Sequence, residues 1–213
     1  MTEKILAGLL TLLLLLPAIP TGAAASTEPL AAIKAPVDEV VEILNDPQYK
    51  EAGTKQAQRN AIWTVVQPMF DFEEISRRAV ARNWNRFTDA EKKAFVDVFA
   101  QFLGNTYIDK IQGEYHNEKI VYLGQEILQE VYAEVKTQIV RETVEIPVNY
   151  RMRKYDDGHW RVYDIIVEGV SLVKNYRTQF ASILKKKKPS QLIDQLNEKL
   201  TEQNQRLVGS GQD

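Results

Sequence analysis

The chain has 213 residues, with 27 Lys and Arg against 29 Asp and Glu and a formal net charge of −2. A balance so close to neutral supplies no global field to gather nucleic acid or an anionic membrane surface, so a nucleic-acid-binding role is set aside. No cysteine is present, which excludes disulfide staples and thiol chemistry and leaves packing to hold the fold.

Lys4 precedes a short apolar run from Ile5 to Leu16, and Pro17, Pro20 and the small residues Ala23, Ala24 and Ala25 follow it. The run is too short to cross roughly 30 Å of hydrocarbon, so the pattern predicts a secretory signal peptide over residues 1–25, cleaved before Ser26. The remaining stretch of about 190 residues suffices for one domain with a sizeable core. That domain is expected over residues 26–207, with a flexible tail over 208–213 marked by Gly209, Ser210 and Gly211. No later stretch reaches membrane-spanning length, and the expected product is a monomer free in the periplasm.

Ser26 to Ala35 reads as a flexible lead-in, and Pro36 suits the first turn of a helix carrying Val37, Val40, Val41 and Leu44 on one face. A second helix is predicted from about Thr54 to Gln67, broken by Pro68, and a third from Phe72 to about Trp84. Thr88 to Glu91 form a Thr-x-x-Glu capping box before the periodic apolar residues Phe95, Val98, Phe99, Phe102, Leu103, Ile108 and Ile111.

From about Lys119 the period becomes two, predicting strands at Ile120–Leu123, Val131–Arg141, Val144–Lys154 and Trp160–Glu168. Helices first and strands later imply an α+β fold, an antiparallel sheet of about four strands wrapped by N-terminal and C-terminal helices. A two-residue Asp157-Gly158 hairpin loop would set Met152 opposite Tyr163, Tyr150 opposite Ile165 and Val148 opposite Val167 on one apolar face. Arg151 would then oppose Asp164 on the other face, together with Trp160, Val162 and Ile166. Gly169 permits a sharp corner, Ser171 caps a helix with Leu172, Val173, Tyr176, Phe180 and Ile183, and a final helix capped by Ser190 follows Lys185 to Lys188.

Catalytic chemistry finds few carriers. His116 and His159 fall in or near turns, and no HExxH, phosphate loop or Gly-x-Ser-x-Gly is present. Asp164 and Glu168 could serve as a base beside an apolar cavity, or could pair with Arg151 and secure the corner. The tetralysine run could meet lipid headgroups or act as a solvated linker. The helical set Phe95, Phe99, Phe102 and Leu103 and the strand set Val135, Val148, Tyr150, Met152, Tyr163, Ile165 and Val167 avoid water, and periodicity leaves open whether side chains or a ligand fill the space between them.

The run Trp160-Arg-Val-Tyr-Asp-Ile-Ile-Val-Glu-Gly-Val-Ser-Leu-Val-Lys-Asn-Tyr-Arg-Thr-Gln-Phe180 resembles the signature of the toluene-tolerance (MlaC) family, and Phe70-Asp-Phe72 and Thr88-Asp-Ala-Glu91 extend the likeness. The resemblance implies a periplasmic phospholipid-binding protein of a lipid-transport system, with acyl chains between sheet and helices and no catalytic residues or cofactor. Phospholipid is then the cargo, and both residue sets become candidate pocket lining. The implied partners are the MlaD-like lipid-binding subunit of an inner-membrane ABC transporter and an MlaA-like outer-membrane lipoprotein complex. Two rival readings stay open: a lipid-free periplasmic adaptor, and a small isomerase or hydrolase using Asp164 or Glu168.

Overall fold

The computed structural model describes residues 28–51 and 53–209; the expected signal peptide and the last four residues of the expected tail lie outside them. The first helix, α1, runs Pro29–Asn45, with Pro29 in its first turn and Pro36 inside it. The start expected at Pro36 is therefore about two turns too late. Pro36 forfeits the hydrogen bond to the Ala32 carbonyl, but tertiary anchoring offsets the loss: Ile33 is fully buried and the Leu30 N–H donates to Gln125 Oε1 at 2.7 Å.

Helix α2, Lys55–Val66, ends in the 3₁₀ turn Gln67–Met69 that Pro68 imposes. Helix α3, Phe72–Val80, is capped by Asp71, whose carboxylate accepts the Glu74 N–H at 2.9 Å. It stops short of the expected Trp84 because Ala81 turns to φ 48°, and a 3₁₀ stretch Ala81–Arg86 follows. Helix α4, Asp89–Glu114, opens on the expected box: Thr88 Oγ1 accepts the Glu91 N–H at 3.2 Å and Glu91 Oε2 accepts the Thr88 N–H at 2.9 Å.

Five antiparallel strands follow in chain order across the sheet: β1 Lys119–Gln129, β2 Tyr132–Val140, β3 Glu145–Lys154, β4 Trp160–Val167 and the short β5 Val170–Ser171. Strand β1 outruns its expected end at Leu123 because the pairing slips at Tyr122/Gly124, where Gly124 takes φ 136°, and then resumes. The β3–β4 hairpin keeps Val148 opposite Val167, Tyr150 opposite Ile165 and Arg151 opposite Asp164. Met152, however, faces Val162 rather than Tyr163.

The cause is the turn. Instead of closing on Asp157-Gly158, the Tyr155 N–H donates to the His159 carbonyl at 3.0 Å and the Gly158 N–H to Tyr155 at 2.9 Å, so Lys154 pairs with Trp160. A slip between Arg151 and Met152 restores the register, leaving Tyr163 as the extra residue. Trp160 and Val162 therefore join Met152 on the apolar face, and Tyr163 moves to the mixed one.

At the corner, Glu168 and Gly169 both adopt positive φ, 49° and 79°. Helix α5, Leu172–Leu184, is capped by Ser171 as expected, its Oγ accepting the Lys174 N–H at 3.0 Å. In α6, Pro189–Gly209, Ser190 is the second residue rather than the cap, and the helix continues past Leu207. Apolar side chains gather in three clusters: α3 to α6 around Phe95 and Phe99, the sheet with α1 around Met152, and α1 with α2 and α4 around Ile62.

Candidate functional site

Alternation along three strands creates one apolar sheet face. Ala133, Val135, Thr137 and Ile139 of β2 oppose Met152, Tyr150, Val148 and Ile146 of β3, and Val162, Ile165 and Val167 of β4 continue the face. Helix α1 crosses it through Leu30, Ile33 and Val37, and Met69, Val66 and Phe70 arrive from the end of α2. Ile33, Val135, Met152 and Val162 have no accessible surface. Towards the other end Ile139, Ile146 and Ile165 are only half-buried, and Val167 is 39% exposed. The layer is thus fully buried around Met152 and most exposed at Val167.

Two tyrosines mark the transition. Burial raises the Tyr150 phenol above its ordinary value, with a hydrogen bond to Thr137 opposing the shift. Tyr150 is itself only half-buried and packs against the sheet cluster. The nearby Thr137 hydroxyl donates to the Val148 carbonyl at 2.8 Å, so the polar atoms here are satisfied within the protein. Burial, and then Asp38, raise the Tyr122 phenol. Its hydroxyl donates to Asp38 Oδ1 at 2.7 Å, while the Lys34 ammonium stands 4.9 Å from its ring. That set ties α1 to β1.

Among the sequence-predicted residues, Val135, Val148, Tyr150, Met152, Ile165 and Val167 share this face. Phe95, Phe99, Phe102 and Leu103 do not face it. They belong to the helical cluster, where Phe99 meets Tyr176 and Phe180 edge-on at 5.1 Å and Phe95 stacks on Phe99 at 5.5 Å. Periodicity correctly marks them as water-avoiding, but it cannot name the surface they meet, and α3, α5 and α6 supply it. Tyr163 is likewise removed from the set. On the mixed face the Arg78 guanidinium lies 4.2 Å from its ring and Tyr132 meets it edge-on at 6.0 Å.

Residues of this layer absent from the sequence-derived set include Ile33, Val37, Val66, Met69 and Tyr122. For Tyr122 the available signal is its parity with Ile120 in a period-two run; for Ile33 the prolines on either side mask the helix. Asp164 is 6% exposed and fully engaged: Oδ2 accepts the Ser171 hydroxyl at 2.6 Å, Oδ1 the Val173 N–H at 3.0 Å, and Arg151 lies 3.7 Å away. Both carboxylate oxygens therefore build the β4–α5 corner. Glu168 is exposed there, its N–H donating to Pro147 at 3.0 Å. His116 and His159 lie outside the apolar layer, in the α4–β1 and β3–β4 turns. Among the described residues no His, Asp and Glu group is arranged to hold a metal ion, and no helix is long and apolar enough to cross a membrane.

Comparison with known proteins gives concordant relationships. A family model described as MlaC protein matches residues 34–198. The toluene tolerance protein ttg2D of Pseudomonas putida is 26% identical over 187 residues, covering 82% of this chain and 81% of that protein. The structure of a phospholipid-binding protein from Ralstonia solanacearum, in complex with a phospholipid, matches with a TM-score of 0.70 at 24% identity, over 82% of this chain and 98% of its own. The likeness to that structure is one of α+β fold.

Proposed function

The chain belongs to the MlaC protein family, and from that membership we propose that it binds phospholipid and carries it through water between two membranes. The observation that supports this reading most directly is the apolar sheet layer. On the sheet face of Val135, Val148, Tyr150, Met152, Ile165 and Val167, the residues Val135, Tyr150, Met152 and Ile165 pack with α1 and the end of α2, and the face is fully buried at Met152 and exposed at Val167. Acyl chains enter from the exposed end and lie along Tyr150 and Ile165, with the headgroup left towards solvent. The relative from Ralstonia solanacearum, of the same fold, was solved with a phospholipid bound.

The physical need is large. At about 0.8 kcal/mol per buried CH₂, two long acyl chains cost on the order of 20 kcal/mol to bring through water. A lined apolar space removes most of that barrier. Release then requires a partner that favours a more open arrangement of α1 against the sheet, because cargo shifts an equilibrium only through different affinities for its two states. In this reading the chain is exported to the periplasm after cleavage before Ser26. It exchanges cargo with the lipid-binding subunit of an inner-membrane ABC transporter and with an outer-membrane lipoprotein complex. The energy for directional transfer comes from that transporter.

The test is to purify the protein, extract it with organic solvent and identify bound lipid by mass spectrometry. Phospholipid at near-stoichiometric amount is expected, and delipidated protein should recover it from vesicles. Protein that carries none and takes none back would remove the carrier reading in favour of a lipid-free adaptor.

A further inference from the structure

Helices α2, α4 and α6 enclose a groove of about 490 Å³, lined by Arg59, Asn60, Trp63, Asp97, Gln101 and Asn204 among others. Half of its lining residues carry uncharged amide side chains, and of the lining only Arg59 and Asp97 carry charge. Asp97 is matched by Lys93, whose ammonium lies 2.7 Å from its Oδ2. Arg59 is matched only in part. It is only 4% exposed and forms no ion pair among the described residues; Asp109, the acidic group that acts on it, pairs with Lys55 at 3.7 Å. Arg59 Nη2 donates to the Asn105 carbonyl at 2.8 Å, Nη1 reaches Gln112 Oε1 at 3.5 Å, and Nε is buried with no partner.

A buried cation that is only partly compensated, here by Asp109, is costly, and one edging a groove is relieved further by an anion. The space exceeds what a small ion fills and matches the size of an organic ligand site. Amide side chains offer both donors and acceptors, which suits hydroxyl groups, and the Trp63 ring offers an apolar flank. We propose that this groove is a second ligand site for a phosphate ester of a small polyol, with Arg59 meeting the phosphate and the amides of Asn60, Gln101 and Asn204 meeting the hydroxyls. The ester is either a free metabolite or the headgroup of a phospholipid. The site is separate from the apolar layer of the proposed carrier function.

Calorimetric titration with sn-glycerol 3-phosphate tests it. One saturable site is expected, with no binding of glycerol itself. Arg59→Gln should weaken binding at least tenfold. Because that change touches a buried group, Asn60→Asp provides the second arm: it sets a competing carboxylate in the lining at an exposed position, and it should weaken binding while the melting temperature stays at the wild-type value. Short-chain phosphatidylglycerol binding more tightly than the free ester, with the same sensitivity to Asn60→Asp, would assign the site to a lipid headgroup; equal or weaker binding would assign it to the free ester. No saturable binding of the ester, equal binding of glycerol, or full affinity in Asn60→Asp would overturn the proposal. Failure to retain long-chain phospholipid would sink the carrier reading and leave this site standing, and the reverse holds as well.

Discussion

Single residues carry much of the specification, and some of it acts through charge. Glu74 is buried between two arginines, with Oε1 accepting from Arg78 Nε at 2.6 Å and Oε2 from Arg77 Nε at 2.8 Å. Burial alone would raise its pKa, but those hydrogen bonds outweigh it and hold the carboxyl below its ordinary 4.5. A depressed folded-state pKa contributes stability that is fully present above 4.5 and lost as pH falls through the lower folded value. Glu74→Gln should therefore cost about 2 kcal/mol at neutral pH in urea unfolding, and the gap to wild type should close in acid. A gap that stays constant with pH would refute the assignment. Gly104 acts through space: a Cβ there would meet Trp63 Cζ3 at 2.5 Å. Gly104→Ala gains helix propensity of up to about 1 kcal/mol but overpacks a rigid ring at about 1–3 kcal/mol, so a net fall in melting temperature is expected. Local chemistry of this kind is partly legible in sequence. The Thr88–Glu91 box and the Ser171 cap follow from short-range hydrogen bonding alone, whereas the need for Gly104 depends on a ring that a different helix brings to it.

Helices and strands are readable in kind, and less so in their ends and facings. Period-two alternation predicts β3 and β4 and pairs Arg151 with Asp164, yet one extra residue in β4 exchanges the facings of Trp160, Val162 and Tyr163. A bulge leaves the alternation of types nearly intact on both sides, so it cannot be seen from pattern. Pattern also starts α1 too late, because a proline inside a helix is locally costly and only the seating of α1 on the sheet outweighs that cost. The Tyr122 hydroxyl that holds α1 to β1 gives this seating a test. Tyr122→Phe removes the bond to Asp38 and should cost about 1 kcal/mol of stability. If α1 moves to pass lipid, the variant should also exchange phospholipid with vesicles faster than wild type and lose amide protection in α1. Unchanged protection would mean that the packing of Ile33 alone secures the helix.

At the scale of the molecule, the α+β class follows from the order of helices and strands, but the arrangement of layers does not. Apolar faces are identified one element at a time, and nothing in a single chain's periodicity says that Phe95 and Phe99 turn to α5 and α6 while Met152 turns to α1. In the proposed carrier, the helical cluster is then the scaffold and the sheet layer the part that accommodates lipid. A ligand that binds only the folded state adds stability in proportion to the logarithm of its excess over Kd, about 2.7 kcal/mol at a hundredfold excess. Delipidated protein should therefore melt several degrees below the loaded form, and Ile165→Trp, which fills the layer beside Tyr150, should narrow that difference while leaving the delipidated melting point nearly unchanged.

The strands of the sheet lie side by side in the order in which they are synthesised, so each can pair with the one just made. The helical cluster has no such convenience. Phe95 and Phe99 are finished early, but Tyr176, Phe180, Leu192 and Leu196 close over them from far downstream in the chain. Until α6 has arrived, a growing chain has a complete sheet ladder and a helical cluster that lacks Leu192, Ile193 and Leu196, a state prone to association through the apolar surface left uncovered. A chain truncated before Pro189 should thus be held by chaperones or aggregate, even though every residue proposed to touch the acyl chains is present in it.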